Sequence, residues 1–122
     1  MGFLVVDDFP AMRRAIKNIL EDLGYGNVTE ADGNTALPLL KRGNFAFLIT
    51  DWYMPGMSGL ELLREVRADE RLAKLPVLML TAEADRTRIV KAMQASVTGY
   101  LVKPFTTSAL REKIVEMLSA QS

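Results

Sequence analysis

The sequence predicts an α/β domain built on a doubly wound parallel sheet, and two observations carry that prediction. Apolar runs of strand length alternate along the chain with segments of helical period, the pattern of successive βαβ units. With 122 residues, 49% of them hydrophobic, there is enough apolar material for one core between two helical layers. Five strands and five helices are expected.

Phe3-Leu4-Val5-Val6 is the first strand. The first helix follows, because Met12, Ile16, Ile19, Leu20 and Leu23 form one stripe while Arg13, Arg14, Lys17, Glu21 and Asp22 occupy the other faces; Gly24 ends it. Val28-Thr29-Glu30-Ala31 is short and polar enough to be an edge strand. The second helix is the weakest, since Pro38 lacks an N–H and fits only a first turn, which makes Thr35 the expected N-cap. Phe47-Leu48-Ile49-Thr50 is the third strand, and Leu60, Leu63 and Val66 mark the third helix. Val77-Leu78-Met79-Leu80 is the fourth strand, followed by a helix with Ile89, Ala92 and Met93 on its inner stripe. Tyr100-Leu101-Val102 is the fifth strand, and Leu110, Ile114, Met117 and Leu118 give the last helix its apolar face. The methionines read as core filler. No internal repeat, low-complexity stretch or linker interrupts the pattern, so residues 1–122 are expected to form one domain with no output domain.

Composition narrows the function. Fifteen basic and fifteen acidic residues cancel, which argues against binding nucleic acid or an anionic membrane by bulk charge. The absence of cysteine removes disulfides and thiolate metal sites, and the absence of histidine removes the commonest general base and zinc ligand. Any metal must be held by oxygen. No apolar run approaches the roughly 20 residues that span a bilayer, and no basic segment with an apolar signal core opens the chain, so a cytoplasmic location is expected. Met1-Gly2 lacks the Ser or Thr that N-myristoylation wants at the sixth position, where Val6 stands.

The candidate chemistry lies just after the apolar runs. In an open α/β sheet the carboxyl ends of parallel strands meet at one crevice, and Asp7-Asp8, Asp51, Thr81 and Lys103 each follow such a run. Crowded carboxylates repel, and a hard divalent cation bound through oxygen relieves that, Mg²⁺ being favoured where water and phosphate complete the shell. Asp7 and Asp8 cannot point to the same face of an extended chain, so one could bind a metal directly and the other through water. Taken singly, each has a plainer reading: an aspartate pair after a strand is commonly a helix-capping turn, and Asp51 could be another turn residue before Met54-Pro55-Gly56. Thr81 and Lys103 supply a hydroxyl and a cation for an anion at the same place. Lys103-Pro104 is a candidate cis peptide. Phosphoryl chemistry is the leading reading of the ensemble.

Val5-Val6-Asp7-Asp8, the run from Asp51 through Trp52, Tyr53, Met54, Pro55 and Gly56 to Gly59, Leu80-Thr81-Ala82 and Lys103-Pro104-Phe105 stand in the order and spacing of a known family. Over its whole length the chain resembles the receiver domain of bacterial response regulators, and within that family it is similar to the chemotaxis members through Asp8-Phe9, Met12-Arg13-Arg14, Asp51-Trp52, Val66 to Asp69, Leu75 to Met79, Thr81 to Ala84 and Gly99 to Thr106. The resemblance implies a flavodoxin-like sheet with strand order 2-1-3-4-5, an order taken from the family itself. It implies Asp51 as phosphoacceptor for a histidine kinase, Mg²⁺ bound by Asp8, Asp51 and the Tyr53 carbonyl with Asp7 holding coordinated water, and Thr81 and Lys103 contacting the phosphoryl oxygens. Tyr100 would be the aromatic that turns inward on activation as Thr81 moves toward the phosphate. Arg86, Tyr100 and Lys113 would face a flagellar motor switch protein, and a phosphatase is a further partner; the isolated reading of Arg86 or Lys113 is a solvated charge. The implied protein is a monomeric cytoplasmic switch that assists its own phosphorylation and slow dephosphorylation, not an enzyme acting on other substrates.

The chain departs from the pattern in three places. The loop Glu30-Ala31-Asp32-Gly33-Asn34 is one residue short, Tyr53 stands where Asn is frequent, and Ser96 stands where Gly is frequent. Tyr53 would obstruct the water that removes the phosphoryl group, with Glu83 as the other neighbour of that route. An aspartate-based phosphatase of the haloacid dehalogenase kind would want a second acid where Tyr53 stands, and a flavin carrier would want a phosphate-binding loop where Asp7-Asp8-Phe9 stands. The remaining alternative is a receiver outside motility, serving as phosphorelay intermediate or phosphate sink.

Overall fold

The computed structural model describes residues 2–82 and 86–120. Among these, five strands alternate with five helices: β1 (Phe3–Val6), α1 (Pro10–Asp22), β2 (Val28–Ala31), α2 (Ala36–Arg42), β3 (Phe47–Asp51), α3 (Gly59–Ala68), β4 (Val77–Thr81), α4 (Arg86–Gln94), β5 (Gly99–Val102) and α5 (Thr107–Ser119). The strands form one sheet in the order β2-β1-β3-β4-β5, every pair parallel. This is the expected flavodoxin-like arrangement, and β2 is the partly exposed edge its polarity called for.

Side-chain alternation along the strands builds two cores. Phe3, Val5, Phe47, Ile49, Leu78 and Leu80 pack with Ile16, Ile19 and Leu20 of α1 and Leu110, Ile114 and Met117 of α5. Leu4, Val6, Leu48, Val77 and Met79 face the other way, onto Leu40 of α2, Leu62, Leu63 and Val66 of α3 and Ala92 of α4. Each large aliphatic side chain fully buried in this way stabilises the fold by about 1.5–3 kcal/mol. Helices on both faces leave the strand ends as the places where polar groups can gather.

The helix ends show how the chain is aimed. Ser58 and Glu61 form a reciprocal capping box at α3, the Ser58 hydroxyl accepting from the Glu61 N–H (3.1 Å) and the Glu61 carboxylate from the Ser58 N–H (3.2 Å). The Thr106 hydroxyl accepts from the Ala109 N–H at the start of α5 (3.0 Å). Thr35 does occupy the cap position of α2, but its hydroxyl caps nothing. Asp32 performs that role: its Oδ1 accepts from the N–H groups of Asn34 and Thr35 and from the Thr35 hydroxyl, each at 3.0 Å. These bonds hold the Asp32 carboxyl below its usual range. Met93 departs from expectation too. It is 63% exposed, because α4 rests on the sheet through Ala92 and turns Val90 and Met93 outward. Among the described residues, no helix is long and apolar enough to cross a membrane.

Candidate functional site

The carboxyl ends of the strands bring together the polar residues that the apolar runs pointed to. Asp51 is the last residue of β3, and the N–H after it, that of Trp52, bonds the Leu80 carbonyl of β4 (2.8 Å). The chain then turns so tightly that the Gly59 N–H reaches the Trp52 carbonyl (2.8 Å), and a Cβ on Gly59 would stand 3.0 Å from the Trp52 Cα and 2.8 Å from the Met79 sulfur. Only glycine lets α3 begin this close to Asp51. Across the sheet, the Lys103 N–H bonds the Thr81 carbonyl (2.6 Å), and the Lys103–Pro104 peptide is cis as its sequence suggested.

Lys103 joins the acids. Its Nζ donates to Asp51 Oδ1 at 3.0 Å and lies 3.6 Å from Asp7 Oδ2. Asp7 is fully buried, with Oδ1 accepting from the Phe9 N–H (2.9 Å) and Oδ2 without any hydrogen-bond partner among the described residues. Its carbonyl accepts from Arg13 Nη1 (2.6 Å), and Arg13 Nε is paired with Glu30 by charge at 3.4 Å rather than by a well-formed hydrogen bond. Burial pushes the Asp51 carboxyl above its usual range; Lys103 opposes that shift, whereas the neighbouring Asp7 charge adds to it. A buried carboxylate is thus held next to a cation in surroundings that leave it short of compensation.

The other expected residues surround this centre. Asp8 is half-buried and lies in a groove of about 530 Å³ with Phe9, Tyr53, Met54 and Pro55, where the Phe9 and Tyr53 rings are largely exposed. Thr81 is buried at the end of β4, in a tight apolar pocket also lined by Trp52, Ile89 and Tyr100, so the expected switch pair does share one pocket. Arg86 opens α4 on an exposed face with Val90, and Lys113 of α5 packs its stem toward Gly99 of β5. Glu83 lies outside the described residues. Among those described, no three acidic side chains form a metal-binding cluster on their own. Even so, carboxylate oxygens with one buried oxygen unpartnered are the donor set a hard cation accepts.

Two arginines have roles that sequence reasoning missed. The Arg88 guanidinium lies over the Tyr53 ring, 4.1 Å from its centroid, and 6.0 Å from the centroid of Trp52. Arg67 reaches from the end of α3 into the loops at the opposite end of the sheet. Nothing in the helical period distinguishes either from an ordinary surface cation.

Residues 3–115 match the model of the response regulator receiver domain. The chain is a response regulator receiver domain. It is 65% identical over 115 residues to the chemotaxis protein CheY of Pseudomonas aeruginosa, covering 93% of each chain. To the chemotaxis protein CheY-3 of Vibrio cholerae it is 60% identical over 115 residues, covering 93% of this chain and 88% of the relative. Among solved structures, the chemotaxis response regulator CheY4 of Vibrio cholerae superimposes with a TM-score of 0.88 at 33% identity, covering 95% of this receiver domain and 97% of the other. The receiver domain of a sensor histidine kinase from Pseudomonas aeruginosa, described with magnesium coordinated in its active-site cleft, matches with a TM-score of 0.84 at 31% identity, covering 98% and 99%. This receiver domain therefore belongs to the CheY-like chemotaxis branch of the two-component family.

Proposed function

We propose that Asp51 accepts a phosphoryl group from a histidine kinase and that the phosphorylated domain then binds a flagellar motor switch protein. The observation that carries this is the buried Asp51 carboxylate at a strand end, 3.0 Å from Lys103 Nζ and beside the unpartnered Asp7 Oδ2. An Asp51 oxygen bonds to phosphorus, the bond from phosphorus to the donor's imidazole nitrogen breaks, and that nitrogen keeps the electron pair. Phosphoryl transfer asks chiefly for positioning and for neutralised oxygen charge. Lys103 is placed to follow the new oxygens, and Thr81 offers a hydroxyl from the adjoining strand. Asp8, Asp51 and the Tyr53 carbonyl, with Asp7 acting through water, would hold Mg²⁺, which supplies further charge neutralisation when bound. The domain is then a phosphoacceptor switch, not an enzyme with a separate substrate, and it works as a cytoplasmic monomer with the kinase, the motor switch and a phosphatase as partners.

The chemotaxis names of the relatives and the shared pocket of Thr81 and Tyr100 favour the motor over a relay role. An added charge of about −2 would draw Thr81 toward the site and vacate space for the Tyr100 ring. Acetyl phosphate with Mg²⁺ should add one phosphoryl group to the protein and none to Asp51→Asn by intact mass; a stoichiometric adduct on the variant would sink the assignment. A motor-switch peptide should bind about 5- to 150-fold more tightly with beryllofluoride and Mg²⁺ present. Equal affinity in a calorimetric titration would leave the relay role in its place.

A further inference from the structure

Arg88 belongs to two places at once. It is half-buried and helps to wall the pocket of Trp52, Thr81 and Tyr100, while its guanidinium covers the ring of Tyr53 at 4.1 Å. Tyr53 in turn is 56% exposed and forms one side of the groove that holds Asp8, two residues along the chain from Asp51. An aromatic ring with that much free surface would sample several rotamers if nothing held it. A cation on its face restrains it, and the restraint is effective here because the Arg88 stem is itself fixed against a pocket with no room for water.

We infer that Arg88 is a positioning residue that clasps Tyr53 as a wall at the mouth of the Asp51 site and so lengthens the life of the phosphoryl group. This rests on the reading of Asp51 as the phosphoacceptor. Hydrolysis requires a water oxygen to bond to phosphorus in line with the Asp51 oxygen, whose bond to phosphorus then breaks; inorganic phosphate leaves and the surplus proton goes to solvent. The clasped ring narrows the directions from which that water can arrive. Tyr53 obstructs the approach, and Arg88 keeps it in place.

The test is a double-mutant cycle on the full chain, loaded with acetyl phosphate and Mg²⁺, freed of donor and followed by intact mass. Arg88→Ala should lose the phosphoryl group about 2–5-fold faster, the range a partly exposed cation–π contact implies. Tyr53→Ala should also decay faster, and adding Arg88→Ala to it should accelerate decay no further. Arg88→Lys should restore part of the lifetime because it returns a cation to the ring. Arg88→Met keeps the stem in the pocket without the charge, so it should behave like Arg88→Ala even if the alanine variant folds poorly. In the unphosphorylated protein, emission of the single tryptophan, Trp52, should change when the Arg88 charge is removed. Unchanged or slower decay in Arg88→Met, or the same acceleration from Arg88→Ala with and without the Tyr53 ring, would overturn the clasp while leaving the phosphoacceptor reading intact. An unmutated protein that takes no phosphoryl group would overturn that reading, and the clasp with it.

Discussion

The two ends of the sheet treat buried charge in opposite ways. At the carboxyl ends, Asp7 and Asp51 share the Lys103 cation, and Asp7 keeps an oxygen with no hydrogen-bond donor among the described residues. Toward the amino ends of β4 and β5, Arg67 bonds no carboxylate among the described residues, yet its donors are well used. Nε donates to the Ser96 carbonyl (2.9 Å), Nη1 to the carbonyls of Ala73 (3.2 Å) and Leu75 (2.7 Å), and Nη2 to the Thr98 hydroxyl (3.2 Å). Desolvation lowers the Arg67 pKa, but neutral oxygens in a fixed fork geometry hold its charge. The first arrangement is poised to take up charge from outside, whereas the second ties the α3–β4 and α4–β5 loops together and asks for nothing more. A charge that the fold satisfies is structural; a charge that it leaves short marks where function resides.

Removing the charge at each end should therefore move stability in opposite directions. Arg67→Ala strands the loop oxygens and unties α3 from the α4–β5 connection. Urea unfolding should show a loss of about 2–3 kcal/mol, since several hydrogen bonds from a charged donor disappear and water replaces only some of them. Arg67→Lys should recover less than half, because an ammonium cannot reach the acceptors in that geometry. Asp51 should still be phosphorylated in both variants. A loss under about 0.5 kcal/mol, the usual size for an ordinary surface substitution, would place Arg67 among solvated charges and break the comparison.

Asp51→Asn should do the reverse. The folded state disfavours the ionised carboxyl, burial being the main cause and Asp7 adding to it. An amide of the same shape removes both penalties and leaves Lys103 to pair with Asp7. In metal-free buffer near neutral pH the variant should be more stable by about 1 kcal/mol, the exchange of stability for function seen at charged sites. Urea unfolding without Mg²⁺ measures it. A variant less stable than the unmutated protein would mean that the Lys103–Asp51 bond outweighs the cost of burial.

The same contrast explains what the sequence could and could not disclose. Strand alternation is a period-two signal, so Phe3 and Val5 separate from Leu4 and Val6 into the two cores that the helical stripes anticipate. Asp7, Asp51, Thr81 and Lys103 were legible because each follows an apolar run and parallel strands bring such ends together. The cap of α2 was placed at the right residue with the wrong acceptor, since Asp32 and Thr35 both have the chemistry to accept there and the helical period does not choose between them. Met93 was misplaced because the inner stripe of α4 is narrow and period alone does not say how deep a helix sits. Arg67 and Arg88 were invisible, as a cation's acceptors lie far away in sequence: Arg67 meets Ser96 and Arg88 meets Tyr53.

The smallest effect sharpens the comparison most, because it concerns the loop that Arg67 holds. α1 and α4 end alike. The Tyr25 N–H reaches the Leu20 carbonyl (2.9 Å) and the Gly24 N–H that of Glu21 (2.9 Å); the Val97 N–H likewise reaches the Ala92 carbonyl (3.0 Å) and the Ser96 N–H that of Met93 (3.0 Å). Both are Schellman caps, which put one residue in the left-handed region. At α1 that residue is Gly24 with φ 98°, and at α4 it is Ser96 with φ 63°. A side chain there costs about 1 kcal/mol, part of which glycine gives back through the freedom it adds to the unfolded chain. Ser96→Gly should thus gain about 0.5 kcal/mol in urea unfolding. If the cap imposes the conformation, the gain should be the same in the Arg67→Ala background, the two changes adding within about 0.3–0.5 kcal/mol. A gain that vanishes once Arg67 is gone would show instead that the guanidinium, by gripping the Ser96 carbonyl, forces the left-handed turn, and Arg67 would then store strain at its end of the sheet in place of merely satisfying it.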